Sequence, residues 1–309
     1  MLKTFAYFKE FANQNEKLRV LTPEDIAHIQ QALLEMMDDF DALCRRNGLC
    51  YFLTGGSALG AVRHQGFIPW DEDIDIIMPR ADYDRLTACV DREMGDRYWV
   101  QGMKTSPVCD LNFLKVRKKG TKYVELFENE PERAGLFLDV FPLEDMYDNG
   151  LMRFLNGVLD EGLFFIASCV RIYNKRERLA QYVQGSKLEG AVRFKIGLGR
   201  LFSSKKDPYK WFKRCEAWQS KCKNPTSKYV TVSCGRGHYF GETYERDKIF
   251  PVQEVPFAGR RYFMPKDSDY LLRVLYGPDY MTPADPNHRE MHSVVELDLG
   301  ESQSTREKE

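Results

Sequence analysis

Between residues 22 and 48, apolar side chains return every three to four positions: Ile26, Ile29, Leu33, Met36/Met37, Phe40 and Leu43/Cys44. That spacing predicts one long amphipathic helix. Its ends are marked too. Thr22 can cap the first turn, Pro23 suits the first helical position, and Glu24 and Asp25 favour the positive end of the dipole. Arg45 and Arg46 suit the negative end, and Gly48 stops the helix. The pattern then changes. "LCYFLT" (49–54) predicts a short buried strand, Gly55-Gly56 breaks it, and "SALGAVRH" (57–64) predicts a short helix opening at Ser57. "DIDIIM" (73–78) reads as a second strand ended by Pro79, and "RADYDRLTACVDREMG" as a helix ended by Gly95. "YWVQG", "FLKVRKKGTKYVEL" and "GLFLDVFPLE" predict further strands, the middle one a hairpin turning at Lys118-Lys119-Gly120.

Helical spacing, broken by single glycines, takes over at 151–222. Short strands and turns follow from Tyr229 to Pro265, and "DYLLRVLYGPDYMTP" is a helix running into a loop. The final "ELDLGESQSTREKE" (296–309) is polar and predicts an unstructured tail. The expected class is α+β, a mixed sheet flanked by helices. The expected division is a core over 1–150, a basic helical insertion over 151–228, a part completing the cleft over 229–295 and a tail over 296–309.

Composition sharpens one point. The 309 residues are 43% hydrophobic and 29% charged, ordinary for a globular chain, and the net charge is −1. That near-neutrality conceals an asymmetry. Segment 171–228 carries sixteen Lys/Arg against four Asp/Glu, a net of +12, which leaves −13 on the rest. Such a segment suits an anionic partner, a membrane surface or a phosphorylated glycan, or nucleic acid. The eight cysteines are scattered, with no C-x-x-C pair, and predict reduced thiols in a cytoplasmic protein. "MLKTFAYFKE" lacks the apolar core of a signal peptide. The best apolar run, "GLFFIASCV" (162–170), is far shorter than the roughly 20 residues that span a bilayer, so contact with the cytoplasmic membrane face would be peripheral at most.

The chemistry concentrates in "LTGGSALGAVRHQGFIPWDEDIDIIMPR" (53–80). On a strand Asp73 and Asp75 share a face roughly 7 Å apart, while Ile74, Ile76 and Met78 point into a core. Two like charges there repel, and a divalent cation relieves this. Mg²⁺ is commonly held by one or two carboxylates completed by substrate phosphates. Mn²⁺ could take its place. Gly55, Gly56 and Ser57, between strand and helix, fit a phosphate cradle. Arg63 and His64 at the end of that helix, and Lys115 and Arg117 on one strand face, are further phosphate candidates. Asp139, a lone acid in an apolar strand, is the candidate third carboxylate. A lone D-x-D usually marks a solvated strand edge and a lone GGS a simple turn. Asp73 lying sixteen residues after Ser57, each with the element it needs, makes the joint reading the stronger one.

These residues resemble a known pattern. G-G-S followed by D-x-D is similar to the signature of the nucleotidyltransferase (polymerase β-like) fold. The fuller "GGSALGAVRHQGFIPWDEDIDIIMPRADYDRL" resembles the LicD family, with "KVRKKGT", "DVFPLE" and "YGPDYMTP…HREMH" similar to its later motifs. The resemblance covers about residues 22–145 and 255–292, and Glu72 stands where the family often has Asp. It implies a Mg²⁺-dependent transferase that moves a substituted phosphate, phosphocholine above all, from a CDP-linked donor such as CDP-choline to a glycan of lipopolysaccharide or teichoic acid. The related fukutin-type proteins use CDP-ribitol. It further implies that Asp73, Asp75 and Asp139 bind metal, that Gly56 and Ser57 hold the pyrophosphate, and that nucleic acid is not the partner. A choline donor would call for an aromatic cage, with Tyr98, Trp99, Tyr123, Phe127, Tyr239 and Phe240 as candidates. Two alternatives stand beside this reading: transfer of a nucleoside monophosphate from an NTP, and a catalytically inactive binding module.

Overall fold

The computed structural model describes residues 19, 21–183, 189–283 and 294–300. The first helix forms as expected, α1 (Pro23–Asn47). Thr22 Oγ1 accepts from the Asp25 N–H at 3.1 Å, the Asp25 carboxylate accepts from the Thr22 N–H at 2.9 Å, and Gly48 ends the helix at φ 58°. This reciprocal cap satisfies two N-terminal donors that the helix itself cannot. β1 (Phe52–Leu53) leads directly into α2 (Gly55–His64), with Thr54 at the cap. The two glycines therefore open the helix rather than precede it.

β2 (Asp75–Pro79) and α3 (Arg80–Met94) come next. β2 starts two residues later than expected, so Asp73 lies in its lead-in. β3 (Tyr98–Gln101), β4 (Leu114–Lys118), β5 (Lys122–Glu125), a 3₁₀ turn (Pro131–Arg133) and the long β6 (Phe137–Asp145) complete the first half. Then come four helices, α4 (Gly150–Asn174), α5 (Arg176–Val183), α6 (Glu189–Phe202) and α7 (Lys210–Gln219). The chain closes with β7 (Tyr229–Thr231), α8 (His238–Gly241), β8 (Thr243–Glu245), α9 (Arg246–Ile249), β9 (Gln253–Phe257), β10 (Arg260–Met264), α10 (Ser268–Tyr276) and β11 (Val294–Asp298).

The main sheet runs β1-β2-β6-β4-β3, with β7 and β8 added at the far end of β6. It is mixed: β2 and β6 are parallel and the other pairs antiparallel. Two expectations are corrected here. β4 and β5 do not form a hairpin: β4 is an interior strand held by β3 and β6, whereas β5 pairs with β11. Thr121 Oγ1 donates to the Lys118 carbonyl at 2.8 Å and accepts from the Leu136 N–H at 3.0 Å, which turns the chain off the sheet. The tail is expected from residue 296, but 294–298 are the second strand of that small sheet; residues 301–309 lie outside the described residues.

Alternation gives the main sheet two unlike faces. Ile76, Met78, Leu138, Val140, Val116 and Val100 are buried on one face. α1 lies over it, as Lys118 Nζ–Glu35 (3.2 Å) and Tyr98 OH–Asp39 (2.6 Å) show. The other face carries Asp75, Asp139, Lys115, Arg117 and Gln101. Arg80 ties the helical segment to the sheet by bonding Glu144 on β6 and Glu216 on α7. No described helix is long and apolar enough to cross a membrane, and none of the eight cysteines is in a disulfide.

Candidate active site

Strand register builds the site. Asp75 on β2 stands beside Asp139 on β6, and Asp139 stands opposite Lys115 on β4, which in turn faces Gln101 on β3. Directly paired residues share a face, so two carboxylates and an ammonium form one row across three strands. Lys115 is 4% exposed, its Nζ lies 3.4 Å from Asp139 Oδ1 and 2.9 Å from Glu125 Oε2, and the ring of Phe137 sits 3.3 Å beneath it. A buried ammonium is tolerable only with such partners.

The N-terminus of α2 closes on this row. The Asp75 N–H donates to Ser57 Oγ at 2.9 Å, and its carbonyl accepts from the Thr54 N–H at 3.0 Å. Gly55 has φ +54°, and a Cβ there would stand 2.4 Å from Asp75 Oδ2; one at Gly56 would stand 2.5 Å from Asp71 Oδ2. Only glycine lets both carboxylates approach the helix end, where its dipole favours negative charge. Gln30 Nε2 donates to the Asp71 carbonyl at 2.9 Å and fixes the loop leading in.

Further acids gather round Tyr123, which is wholly buried and whose ring meets Phe137 edge-on at 5.4 Å. Burial first, and then Glu72, Glu125, Asp73 and Asp139, push its hydroxyl well above the usual phenol range. Asp73 and Asp75 are half-buried and alternate with buried Glu72 and Ile74. Glu125 had no signal in the sequence, because only folding brings β5 over Lys115. In the sequence Asp71 and Glu72 read as loop acids beside the metal site rather than as ligands, and Asp71 continues the alternation of Asp73 and Asp75.

Other candidates lie elsewhere. Arg117 has no exposed surface: it donates to Gln101 Oε1 (2.7 Å) and the Gly135 carbonyl (2.8 Å) and pairs with Glu128. The expected phosphate contact is corrected to an internal tie, because every direction its guanidinium offers ends on protein. Arg63 and His64 lie at the opposite end of α2, about 12 Å along the axis from Gly55. There Arg63 Nε donates to His64 Nε2 at 3.0 Å and reaches the Tyr280 carbonyl. Burial, then Arg63, lowers the His64 pKa.

The six aromatics do not form one cage. Tyr98 and Trp99 are adjacent on β3 and point to opposite faces. Tyr98 reaches α1, while Trp99 carries Arg133 at 3.7 Å. Phe127 packs with Leu179 and Val192 of the helical segment, and Tyr239 and Phe240 pack on each other 5.2 Å apart beside Gly157. Only Tyr123 lies among the acids of the row. Of the later motifs, "KVRKKGT", "DVFPLE" and "YGPDYMTP" lie among the described residues and "HREMH" lies outside them.

Among the described residues, no three His, Cys, Asp or Glu side chains converge as a ready-made metal cage. The donor set nevertheless fits an open Mg²⁺ site. Asp75 and Asp139 are lateral neighbours about 5 Å apart in backbone spacing, and such a cation takes its remaining ligands from substrate phosphates and water. A separate polar cavity of about 180 Å³, lined by Asp110, Asn129, Lys175, Arg178 and Tyr209 among others, lies where the helical segment meets the loop after β5. Burial, then Arg171, lowers the Lys175 pKa to about 8.

Residues 48–153 match the family model described as LicD/FKTN/FKRP, nucleotidyltransferase domain. The lipopolysaccharide cholinephosphotransferase LicD of Haemophilus influenzae (strain ATCC 51907 / DSM 11121 / KW20 / Rd) is 45% identical over 113 residues, 36% of this chain and 42% of that protein. An uncharacterized protein, RP689, of Rickettsia prowazekii (strain Madrid E) is 29% identical over 120 residues, 37% of this chain and 45% of its own length. The match thus spans less than half of each of these relatives. The family-model match contains the glycine turn, the D-x-D and Asp139, and over this segment the chain is similar to the LicD family.

Proposed function

We propose that the protein transfers a substituted phosphate, phosphocholine first, from a CDP-linked donor to a hydroxyl of a cell-surface or lipid-linked glycan, using a nucleotidyltransferase (polymerase β-like) fold and Mg²⁺. The observation that carries this reading is the Asp75–Asp139–Lys115 row at the N-terminus of α2, inside the LicD-matching segment. Asp73, Asp75 and Asp139 are the residues that would hold the cation. When bound, it neutralises the donor's pyrophosphate and the charge that grows on the departing CMP. The N–H groups opening α2 face the same place and favour phosphate oxygens. Asp139 is the carboxylate positioned to take the acceptor's proton, and Lys115 orients it from 3.4 Å. The acceptor oxygen bonds to phosphorus, the bond from phosphorus to the CMP oxygen breaks, and the hydroxyl proton passes to Asp139. With the six candidate aromatics dispersed, the negative field of Glu72, Asp73 and Glu125 around Tyr123 would supply attraction for a quaternary ammonium.

Separate reactions with Mg²⁺, lipopolysaccharide and CDP-choline, CDP-ribitol, CDP-glycerol or CTP test the reading, with CMP and pyrophosphate followed. CMP release from a CDP-alcohol is the expected result. Pyrophosphate from CTP with no CMP from any CDP donor would reassign the protein to nucleotidyl transfer. Neither product from any donor would make it a binding module.

A further inference from the structure

α4 is half covered. Over its second part, α6 packs so closely that a Cβ on Gly199 would stand 2.2 Å from the Cys169 carbonyl, and Ala167, Cys169 and Val170 are buried. α6 has 14 residues, about 21 Å, against about 37 Å for the 25 of α4. The first part of α4 therefore continues its apolar stripe into the open: Leu151, Phe154, Leu155, Val158 and Leu159 are 48–68% exposed. Phe240, also exposed, extends the patch, its ring 6.0 Å from Phe154. Single exposed apolar residues are ordinary, but five on one helix face with an added phenylalanine are a surface.

A second pattern lies on α6. Its outer face repeats one pair seven residues apart, Arg193-Phe194 and Arg200-Leu201, with Phe194 62% and Leu201 74% exposed. From α6 onward the exposed charge is mostly positive, with Arg193 paired to Glu189 at 2.6 Å and Lys213 to Asp207 at 3.0 Å. Arg193, Arg200, Lys205, Lys206, Lys210, Lys213, Arg214, Lys221, Lys223 and Lys228 are all exposed. Lys221 stands 4.5 Å over the Trp218 ring, and Trp218 Nε1 donates to the Asn156 carbonyl at 3.3 Å, which brings this charge to the flank of the bare stripe. On 148–161 itself the charged residues are Asp148, Arg153, Asp160 and Glu161, and Asp160 is buried.

We infer that the open stripe of α4 and the outer face of α6 seat the protein on an anionic lipid surface. Leucine and phenylalanine enter the acyl boundary while arginine and lysine meet the headgroups. Nucleic acid would answer the charge but has no use for exposed leucines. A second copy would answer the leucines but would bring together two copies of a segment whose sequence carries a net +12. The inference stands apart from the transferase reading and survives its failure.

Co-sedimentation with phosphatidylcholine vesicles, with and without phosphatidylglycerol, tests it at low and high salt. The wild type should sediment with the anionic vesicles at low salt and be released by high salt. The double variant Leu155→Asp/Leu159→Asp should bind at least about tenfold more weakly, as should Arg193→Ser/Arg200→Ser. Both should keep the wild-type circular dichroism, since the altered side chains are exposed. A Leu155→Trp variant should show a blue-shifted emission when anionic vesicles are added. Absence of wild-type binding at low salt, or undiminished binding by the aspartate variant, would overturn the proposal. So would a wild-type dimer that the aspartate variant dissociates while vesicle binding is unchanged.

Discussion

In the main sheet, Asp75, Asp139 and Lys115 stand shoulder to shoulder because the hydrogen-bond register of three strands puts them there, and Arg117 is sealed below with Glu128 and Gln101. In helices α4–α7 most of the charge faces outward, spread along solvent-exposed surfaces, and the buried Asp160 has a neighbourhood that only partly repays its burial. A sheet fixes which charges are neighbours, so it can store opposing groups at close range and use them. A bundle of short helices disperses like charges over an area. The first suits chemistry at a point, the second contact with an extended surface.

The largest effect expected of any change belongs to the row. Asp139→Asn should lower CMP release about 10²–10⁴-fold with the fold intact, and Asp75→Ala should abolish it. Turnover by either variant near the wild-type rate would break the assignment. Arg117→Met should then cost about 3–5 kcal/mol, read from a urea midpoint, because Glu128 is left as a buried carboxylate without its cation. Arg193→Met, on the exposed helical face, should leave the midpoint where it was. Equal costs would erase the contrast between the regions.

Gly55→Ala should cost about 1–3 kcal/mol through its left-handed backbone and the clash with Asp75, and should remove activity as well. Stability loss without activity loss would show that the approach of Asp75 to α2 is structural alone. The smallest effect concerns Asp160. Burial raises its carboxyl from 3.8 to about 7, with Gln219 and Ser233 lowering it only in part. The folded state thus holds a proton that the unfolded chain releases. The stability this contributes is complete below pH 3.8 and is lost as pH rises through about 7. Asp160→Asn should therefore gain about 1–2 kcal/mol above neutrality and nothing near pH 4, as thermal unfolding at the two pH values would show.

Much of the site was legible in the chain. The D-x-D in an apolar run, the glycine pair before a helix and the lone Asp139 each marked a departure from what burial alone would choose. Local rules also sufficed for α1, whose periodicity, Thr22 cap and Gly48 stop agree with one another. Arg117 misled because alternation tells which residues share a face and not what covers that face. The aromatic candidates misled for a different reason: residue type alone groups them, whereas neighbours on a strand, such as Tyr98 and Trp99, part to opposite sides.

The sequence by itself determined the helices and strands whose hydrophobic period and end signals concur, and the concentration of acids and glycines in 53–80 that marks the candidate site. Tertiary structure decided the rest, because it depends on register and cover. It set Asp139 beside Asp75 and Lys115, carried Glu125 and Tyr123 over them, gave β5 to β11 instead of β4, and left half of α4 bare. Those are outcomes of which strand edges and helix lengths meet, and residues 64 apart in the chain, as Asp75 and Asp139 are, carry no local mark of each other.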